Sequence, residues 1–390
     1  MDSGYSFELL VAAYYDCRKN KRNTASALRF EQDLEHNLVQ LHEELMDGSY
    51  RPGRSICFVI TRPKPREVWA AEFRDRIVHH LLYNQIAGDF HSRFIADSCA
   101  CIPGRGTLYG VQRLHAKIRS QTQNWTLPGY YLKLDLSNFF VSINKHAVWP
   151  LLQRHIPEPW WCDLAHLILF HDPRTDYEYH GDPALIERVP PHKRLLSAPP
   201  DHGLPIGNLS SQFFANVLLD ALDQHIKHTI RAHAYIRYVD DMVLLHESAQ
   251  WLNAAKTQIE AFLPGLGLAL NPHKTIIQPI NRGVDFAGYV IKPWRMEARR
   301  RTVNAGLAAI ESMPPENTLE TINSYLGLLR HCSGHHDRAR IANAARKRGH
   351  CVSADLTKAH RRSTHHTKDL AHVVQKPETL PSGPESHSDR

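Results

Sequence analysis

The sequence predicts an α+β protein, in which strands and helices occur along one chain. Two segments, residues 131–140 and 235–246, are rich in strand-forming apolar residues and carry acids near the end of a strand. Two other segments, residues 28–45 and 213–226, space their apolar residues with the period of a helix. Strands and helices mixed in this way along one chain indicate the α+β class.

The first 130 residues are predicted to form helices followed by a mixed region. Residues 1–50 have a helical pattern, and residues 51–130 combine short strands with helices, including one at 74–86. Residues 104–107 form a tight basic turn before a helix that begins near Leu108. That turn either contacts phosphate groups or is an ordinary turn.

The most informative feature is a pair of adjacent acids, Asp240 and Asp241, inside an apolar segment. The pattern predicts a β-hairpin that holds both acids at its turn. Adjacent carboxylates raise each other's pKa, and a bound divalent cation removes that penalty. A solvated turn is the commoner origin of such a pair, so the assignment depends on residues upstream.

Asp135 lies near the end of the other acidic strand, and one sheet could bring it beside the pair. Mg²⁺ prefers oxygen ligands and is usually held by one or two carboxylates plus substrate phosphates. Two such ions can clamp the attacking and leaving oxygens of a phosphoryl displacement. The alternative for Asp135 is an acid that caps the turn after its strand.

A loop rich in Gly, Pro and Asn, residues 203–212, leads into the helix at 213–226. Gly207 permits a close approach of the backbone to a ligand, and Ser210 or Ser211 could cap the helix. For this segment alone, an ordinary loop and helix cap is the simpler interpretation.

Six segments follow one another in a specific order. They are Arg66 with Arg74-Asp75-Arg76, Asp135 with Phe140, Leu204-Pro205-Ile206-Gly207 with Ser211-Gln212, Tyr238-Val239-Asp240-Asp241, Asn271-Pro272-His273-Lys274-Thr275, and Phe286-Ala287-Gly288-Tyr289. The ordered set resembles that of a prokaryotic reverse transcriptase over about residues 50–335. The resemblance implies a right-handed polymerase with fingers, a palm and a helical thumb, in which the palm is a small antiparallel sheet backed by helices. It also implies an enzyme that makes DNA on an RNA template with two Mg²⁺ ions.

The resemblance also implies roles for the catalytic residues. Asp135 and Asp240 match the two aspartates that bind Mg²⁺, and the Leu136 carbonyl is a possible extra ligand. Asp241 matches the second acid of the pair, closer to the primer end. Lys274 matches a lysine that protonates the leaving pyrophosphate, with a plain exposed lysine as the alternative.

The predicted nucleotide-binding residues are assigned in the same way. Phe140 matches the steric gate against a ribonucleotide 2′-OH, and Arg66 matches a fingers arginine that grips the triphosphate, assisted by Lys64. The planar fork of arginine meets phosphate oxygens bidentately. The remaining members of the set lie in one loop and the helix after it: Ile206, Gly207 and Gln212.

Two positions indicate a subfamily. Most reverse transcriptases have Gln before the motif glycine and Pro after its serine, whereas this chain has Ile206 and Gln212. The segment resembles the enzyme of diversity-generating retroelements, which copies a template RNA with frequent errors at adenines. Ile206 cannot form a side-chain hydrogen bond, so a check on the geometry of the nascent pair is lost; simple packing is the alternative.

The resemblance implies a template RNA, a primer–cDNA duplex, dNTPs and a small basic helical accessory protein as partners. Two rivals remain. A retron-type or phage-defence reverse transcriptase is disfavoured by Ile206 and Gln212, and a catalytically silent RNA-binding scaffold is disfavoured by the intact acids.

Five regions are predicted along the chain. They are an N-terminal helical extension at 1–50, fingers at 51–130, a palm at 131–290, a thumb at 291–350 and a disordered polar tail at 351–390. A polar, Pro-rich insertion at 172–202 has no role that the sequence reveals.

Positive charge is concentrated in the last quarter of the chain. Residues 290–390 hold 17 Lys and Arg against 10 Asp and Glu, which accounts for the whole net charge of +7. Arg299, Arg300 and Arg301 form one cluster. We expect these arginines to bind the phosphates of a template–primer duplex without reading its sequence, although a solubilising surface is the alternative.

Composition limits the remaining possibilities. No apolar run approaches the ~20 residues that span a bilayer, and the N-terminus lacks a signal-peptide pattern. These observations predict a cytoplasmic protein without a membrane partner.

The seven cysteines are irregularly spaced, which disfavours a disulfide framework. One cluster has zinc-ligand residue types, with chance clustering of histidines as the alternative: Cys332, His335, His336, His350 and Cys351.

Overall fold

The structure is a computed structural model that describes residues 4–19, 24–62 and 64–361. One compact unit ends at Trp294 and a second begins at Arg295. The helices are α1 (Phe7–Arg18), α2 (Ala25–Glu31), α3 (Leu34–Met46), α4 (Phe73–Arg93), α5 (Thr107–Gln121), α6 (Phe139–Ser142), α7 (Lys145–Gln153), α8 (Pro159–Phe170), α9 (Ala184–Glu187), α10 (Leu209–Gln224), α11 (Ala249–Phe262), α12 (Arg300–Ser312), α13 (Thr318–Leu329) and α14 (His335–Lys347).

The strands are β1 (Ser55–Ile60), β2 (Arg66–Ala70), β3 (Tyr130–Asp135), β4 (Tyr177–Tyr179), β5 (Tyr235–Tyr238), β6 (Asp241–His246), β7 (Ile276–Pro279), β8 (Val284–Phe286), β9 (Tyr289–Lys292), β10 (Arg295–Ala298), β11 (His350–Val352) and β12 (Ala359–Arg361). A π-helical turn, His225–Thr229, extends α10. No helix in the described part of the chain is both long and apolar enough to cross a membrane.

A four-stranded antiparallel sheet with the order β5-β6-β3-β7 positions the predicted site. Leu132 and Leu134 of β3 are paired with Leu244 and Met242 of β6, and all four are fully buried. Because side chains alternate along a strand, the residues between them face the other side of the sheet. Helices α5 and α11 pack against the sheet. The predicted small antiparallel sheet backed by helices is therefore confirmed.

The N-terminal helices pack around α4 in the same unit. The region predicted as helical at 28–45 consists of two helices, α2 and α3. Ser6 caps α1 and Thr24 caps α2, since each side chain accepts a hydrogen bond from a backbone N–H of the first turn. The helix predicted at 74–86 is confirmed and extends further at its C-terminal end, to Arg93.

A second sheet of the first unit has the order β2-β1-β4. Strands β1 and β2 form an antiparallel hairpin, and β4 pairs with β1 in parallel, with Ser55 opposite Tyr177 and Cys57 opposite Tyr179. The insertion at 172–202 therefore supplies a strand to this sheet. Its backbone also continues the pairing at one end, where the Ser55 N–H donates to the Asp176 carbonyl at 3.0 Å.

In the described residues of the second unit, the helices α12, α13 and α14 pack their apolar faces together. Gly306 of α12 lies against the ring of Tyr325 in α13. A Cβ at Gly306 would come within 2.7 Å of a ring carbon. This close approach of two helices therefore requires glycine.

The structure differs from the sequence prediction directly after α14. Strands β11 and β12 form an antiparallel hairpin in residues 350–361, where a disordered tail was predicted from residue 351. The Asn323 side chain in α13 fixes this hairpin by donating to the Ala359 carbonyl at 3.0 Å and accepting from the Ala359 N–H at 2.7 Å. Such a pairing of distant residues leaves no local sequence pattern. The rest of the predicted tail, residues 362–390, lies outside the described residues.

Candidate active site

The hairpin predicted around Tyr238 is present and has a two-residue turn. Tyr238 of β5 pairs with Asp241 of β6, which leaves Val239 and Asp240 between the strands. Val239 has a φ of 54°, a conformation that costs a β-branched residue conformational energy. This tight turn presents the Asp240 carboxylate at the end of the sheet.

Asp135 ends β3, the strand next to this hairpin, and its backbone is in register with Asp241. Burial and then the negative charge of Asp135 raise the pKa of Asp240 from its ordinary value of 3.8 to about 6. The charge of Asp241 adds to this shift. The sheet therefore brings Asp135 and Asp240 together, as the sequence predicted.

This arrangement fits a divalent cation such as Mg²⁺. A cation beside Asp240 would offset the repulsion that the charge of Asp135 exerts on its ionised form. Leu136 lines the cleft, and its backbone carbonyl is the further oxygen ligand that the sequence analysis named. These donors are all oxygens, the type that Mg²⁺ prefers.

Lys274 contacts one of these carboxylates, Asp135. Its Nζ donates to Asp135 Oδ2 at 2.6 Å, and its side chain is about half exposed. The turn that holds it is bonded back to the sheet, since the Asn271 N–H donates to the Asp135 carbonyl at 2.8 Å and the Thr275 N–H donates to the Asn271 carbonyl at 3.0 Å. Lys274 thus supplies a positive charge beside Asp135.

Asp241 has a different partner, Lys133, which the sequence analysis missed. The Lys133 Nζ lies 3.2 Å from Asp241 Oδ1 and donates to the Asp285 carbonyl at 2.7 Å. Lys133 therefore connects the second acid to β8. The sequence could have indicated Lys133, because it lies two residues before Asp135, and residues i and i+2 lie on one face of a strand.

Phe140 lies in α6, one short turn after Asp135. Its carbonyl accepts a hydrogen bond from the Leu204 N–H at 2.8 Å, which ties α6 to the loop before α10. Asn138 begins the turn with a φ of 48°. The half-buried ring of Phe140 lines the same cleft as Asp240.

The loop at 203–212 is fixed to β2. The Trp69 N–H donates to the Ile206 carbonyl at 2.8 Å, and the Ala71 N–H donates to Asn208 Oδ1 at 3.1 Å. Gly207 has a φ of 128°, and a Cβ there would come within 2.8 Å of the Trp69 carbonyl oxygen. The close approach predicted at Gly207 is thus made to the backbone of β2, whereas a ligand was expected.

The predicted serine cap of α10 is wrong. Asn208 is the N-cap residue, and Ser210 and Ser211 lie buried inside the first turn. Gln212, the next residue, is exposed and accepts a hydrogen bond from Cys101 Sγ at 3.1 Å. The helix begins earlier than the apolar spacing suggested because the packed loop already orders its backbone.

Most of the predicted site residues line one open cleft of about 700 Å³. Its walls include Arg66 and Lys64 from the β1–β2 hairpin, and both are exposed. The other predicted site residues that line it are Leu136, Phe140, Ile206, Gly207, Gln212, Asp240, Asp241 and Lys274.

A buried ion pair next to the β5–β6 hairpin was also missed by the sequence analysis. Arg237 and Asp223 are both fully buried and lie 2.7 Å apart. Arg237 also donates to Asn216 Oδ1 at 3.0 Å and to the Val239 carbonyl at 3.3 Å. Because removing one member of such a pair is costly, this network holds the strained turn in place.

Two sequence hypotheses concern the second unit. Arg300 and Arg301 are exposed in the first turn of α12, which Arg299 precedes, and their role in binding nucleic acid stays a prediction.

The zinc hypothesis finds no support, because residues 4–19, 24–62 and 64–361 contain no metal-binding group of three or more His, Cys, Asp or Glu. His350 instead lies 2.7 Å from Thr318 Oγ1.

Parts of this chain are similar in sequence to known proteins. Protein P of hepatitis B virus genotype C (Japan/Nishioka isolate) is 34% identical over 91 residues, which are 23% of this chain and 11% of the relative. Protein P of duck hepatitis B virus is 33% identical over 87 residues, or 22% of this chain and 10% of the relative. The chain thus spans about a tenth of the length of these relatives.

Among solved structures, telomerase from Candida tropicalis is similar with a TM-score of 0.46 and 14% identity, over 63% of this chain and 55% of that one. The sequence model of a family described as "Reverse transcriptase (RNA-dependent DNA polymerase)" matches residues 62–291. That match covers more than half of the chain and includes both acidic strands and the loop before α10. By this match, the chain belongs to the reverse transcriptase family.

Proposed function

We propose that this chain synthesises DNA on an RNA template. The observation that carries the proposal is that the sheet brings Asp135 close enough to Asp240 to raise its pKa, and that Asp240 lines one cleft with Phe140 and Arg66. Family membership supports the reaction class, since the matching family is described as an RNA-dependent DNA polymerase.

In this proposal Asp135, Asp240 and the Leu136 carbonyl hold two Mg²⁺ ions. When bound, these ions lower the pKa of the primer 3′-hydroxyl and stabilise charge on the leaving group. Arg66 binds and orients the triphosphate through paired hydrogen bonds. Lys274 carries a proton within reach of the acids and delivers it to the departing pyrophosphate. Phe140 blocks the space that a 2′-OH would fill.

We further propose that the enzyme is error-prone and belongs to a diversity-generating retroelement. The support is the pair of departures at Ile206 and Gln212, both of which line the cleft. A template RNA, a primer–cDNA duplex and a small basic helical accessory protein are the expected partners. A near-duplicate repeat that differs at adenines in the neighbouring DNA would support this assignment over a retron-type enzyme.

Primer extension on a homopolymer RNA template tests the reaction. Asp240→Asn should abolish extension while RNA binding persists, because a neutral amide is a much weaker ligand for Mg²⁺ than a carboxylate. Asp89→Asn is the matched control, since Asp89 is an exposed acid on α4 and does not line the cleft. Substantial DNA synthesis by the Asp240 variant would refute the metal-site assignment. RNA binding without extension by the wild-type chain would favour the scaffold.

A further inference from the structure

The insertion at 172–202 is built into the sheet that carries Arg66. Strand β4 pairs with β1, and the His180 N–H extends this pairing by donating to the Cys57 carbonyl at 2.8 Å. The segment is therefore bonded to the β1–β2 hairpin near its N-terminal end.

A second attachment follows near the end of the insertion. Leu195 and Ala198 form a small apolar core with Cys57 and Trp69 of the hairpin. The Leu195 N–H also donates to the carboxylate of Glu67, which is buried and follows Arg66 in β2. The end of the insertion is thus fixed one residue away from the arginine predicted to grip the triphosphate.

The loop between these two attachments is ordered by its own contacts. Arg194 Nε donates to the Val189 carbonyl at 2.6 Å, and the Lys193 N–H donates to the Pro190 carbonyl at 2.8 Å. Val189 is fully buried. A fixed loop can hold its side chains toward a ligand at a lower entropic cost than a flexible one.

Two cations of this loop, Arg188 and Lys193, are exposed and line the cleft that Lys64 and Arg66 also line. The acid nearest to Arg66 in sequence, Glu67, is turned into the protein toward Leu195. Four cations from two segments therefore line the same cleft. Such a cluster is a site for an anion with several negative groups.

We propose that Arg188 and Lys193 bind the phosphates of the incoming deoxynucleoside triphosphate together with Arg66. This inference rests on the proposed function and extends it to a segment whose role the sequence left open. The triphosphate is favoured over the template strand because both cations lie in the cleft that contains Asp240 and Phe140.

The test compares wild type with the double variant Arg188→Gln/Lys193→Gln in the full chain. Dissociation constants for a dNTP are measured on complexes with a template and a dideoxy-terminated primer, so that binding is read without turnover. Removing two charge-assisted hydrogen bonds should weaken dNTP binding about tenfold or more. KM for the dNTP should rise similarly in single-nucleotide incorporation, while affinity for the template–primer stays within about twofold.

Two further variants make the result specific. Arg188→Lys/Lys193→Arg keeps both charges and should retain most of the dNTP affinity. Lys256→Gln removes a partly exposed cation that pairs with Glu260 on α11. This variant should bind dNTP and template–primer as tightly as wild type. Thermal melting of each variant shows whether it is folded.

The outcomes separate the inference from the function on which it rests. Unchanged dNTP affinity in the folded double variant overturns the inference, as does weaker template–primer binding with unchanged dNTP affinity. If wild type binds dNTP but does not extend a primer, the proposed function fails while the binding comparison still decides the role of the loop.

Discussion

Position 206 shows how one side chain can alter an enzyme without altering its fold. The backbone of Ile206 is fixed by the hydrogen bond from the Trp69 N–H, so only the half-buried side chain changes on substitution. An aliphatic group there cannot check the geometry of a base pair by hydrogen bonding. The side chain therefore contributes shape alone to the cleft.

Ile206→Gln should lower the error frequency, most visibly opposite template adenines. A restored hydrogen-bond check is worth on the order of 1 kcal/mol, or several-fold in misincorporation. Sequencing of cDNA made on one adenine-rich template measures the effect, and Ile206→Leu is the control that should keep the wild-type spectrum. Equal spectra for the Gln variant and wild type would assign the errors to another cause, with Gln212 the next residue to test.

Residue patterns predicted the acids and Lys274 but missed Lys133, the lysine that pairs with Asp241. Asp135 and Asp240 were predictable because each lies near the end of an apolar strand pattern. Lys133 was not singled out, since an isolated lysine in a strand usually faces solvent. Its role depends on Asp241 and the Asp285 carbonyl, which are brought to it by the fold from more than 100 positions away.

At the scale of elements, α10 and β5 are joined by a buried polar network. Asp223 of α10 accepts hydrogen bonds from Arg237 Nε at 2.9 Å and from the Tyr235 hydroxyl at 2.7 Å. One turn earlier on α10, Asp220 has no arginine in direct contact among the hydrogen bonds of the described residues, and Gln224 donates to it at 3.1 Å. Burial, with the charge of Asp223 next, raises the pKa of Asp220 to about 6.

This pKa predicts how stability depends on pH. The folded state holds the Asp220 proton more tightly than the unfolded state, so ionised Asp220 destabilises the fold above about pH 6. That cost shrinks as the pH falls through 6 and is gone below the unfolded pKa near 3.8. Asp220→Asn should therefore raise the free energy of unfolding by about 1–2 kcal/mol at about pH 7.5 and by nothing below about pH 4.

Denaturant unfolding across this pH range measures the difference. Asp89→Asn, an exposed acid on α4, is the control and should show no comparable gain. A less stable Asp220 variant at neutral pH would mean that nearby arginines stabilise the ionised carboxylate more than burial penalises it.

Some elements could be predicted from the sequence and others could not. The β5–β6 hairpin was predictable because apolar strand residues flank its acids, and α4 and α10 because their apolar spacing is helical. Strand β4 was not predictable: it has three residues, none of them buried, and its partner β1 is more than 100 residues away. The placement of Arg188 and Lys193 depends on that pairing, which explains why the insertion had no role in the sequence interpretation.

At the scale of the whole molecule, charge is divided unequally along the chain. Residues 290–390 carry the entire net charge of +7, and nearly all of this segment belongs to the second unit. Within it, Arg300 and Arg301 occupy the first turn of α12, where cations are unfavourable because the helix dipole is positive there. Helix stability therefore does not account for these arginines, and this supports the prediction that they bind phosphate groups.

Replacing Arg299, Arg300 and Arg301 with Gln should weaken template–primer binding to a similar degree for every sequence. The plot of log affinity against log salt should flatten by up to about one unit of slope for each arginine that binds a phosphate in the wild-type complex. Fluorescence anisotropy at several salt concentrations measures both effects.

Removing the same charge at Arg29, Arg119 and Lys256, which do not line the cleft, is the control for a general effect of net charge. Because the dipole disfavours cations in this turn, the variant should melt no lower than wild type. If the slope stays unchanged in the folded triple variant, these arginines do not contact the duplex, and the positive charge of this unit serves solubility.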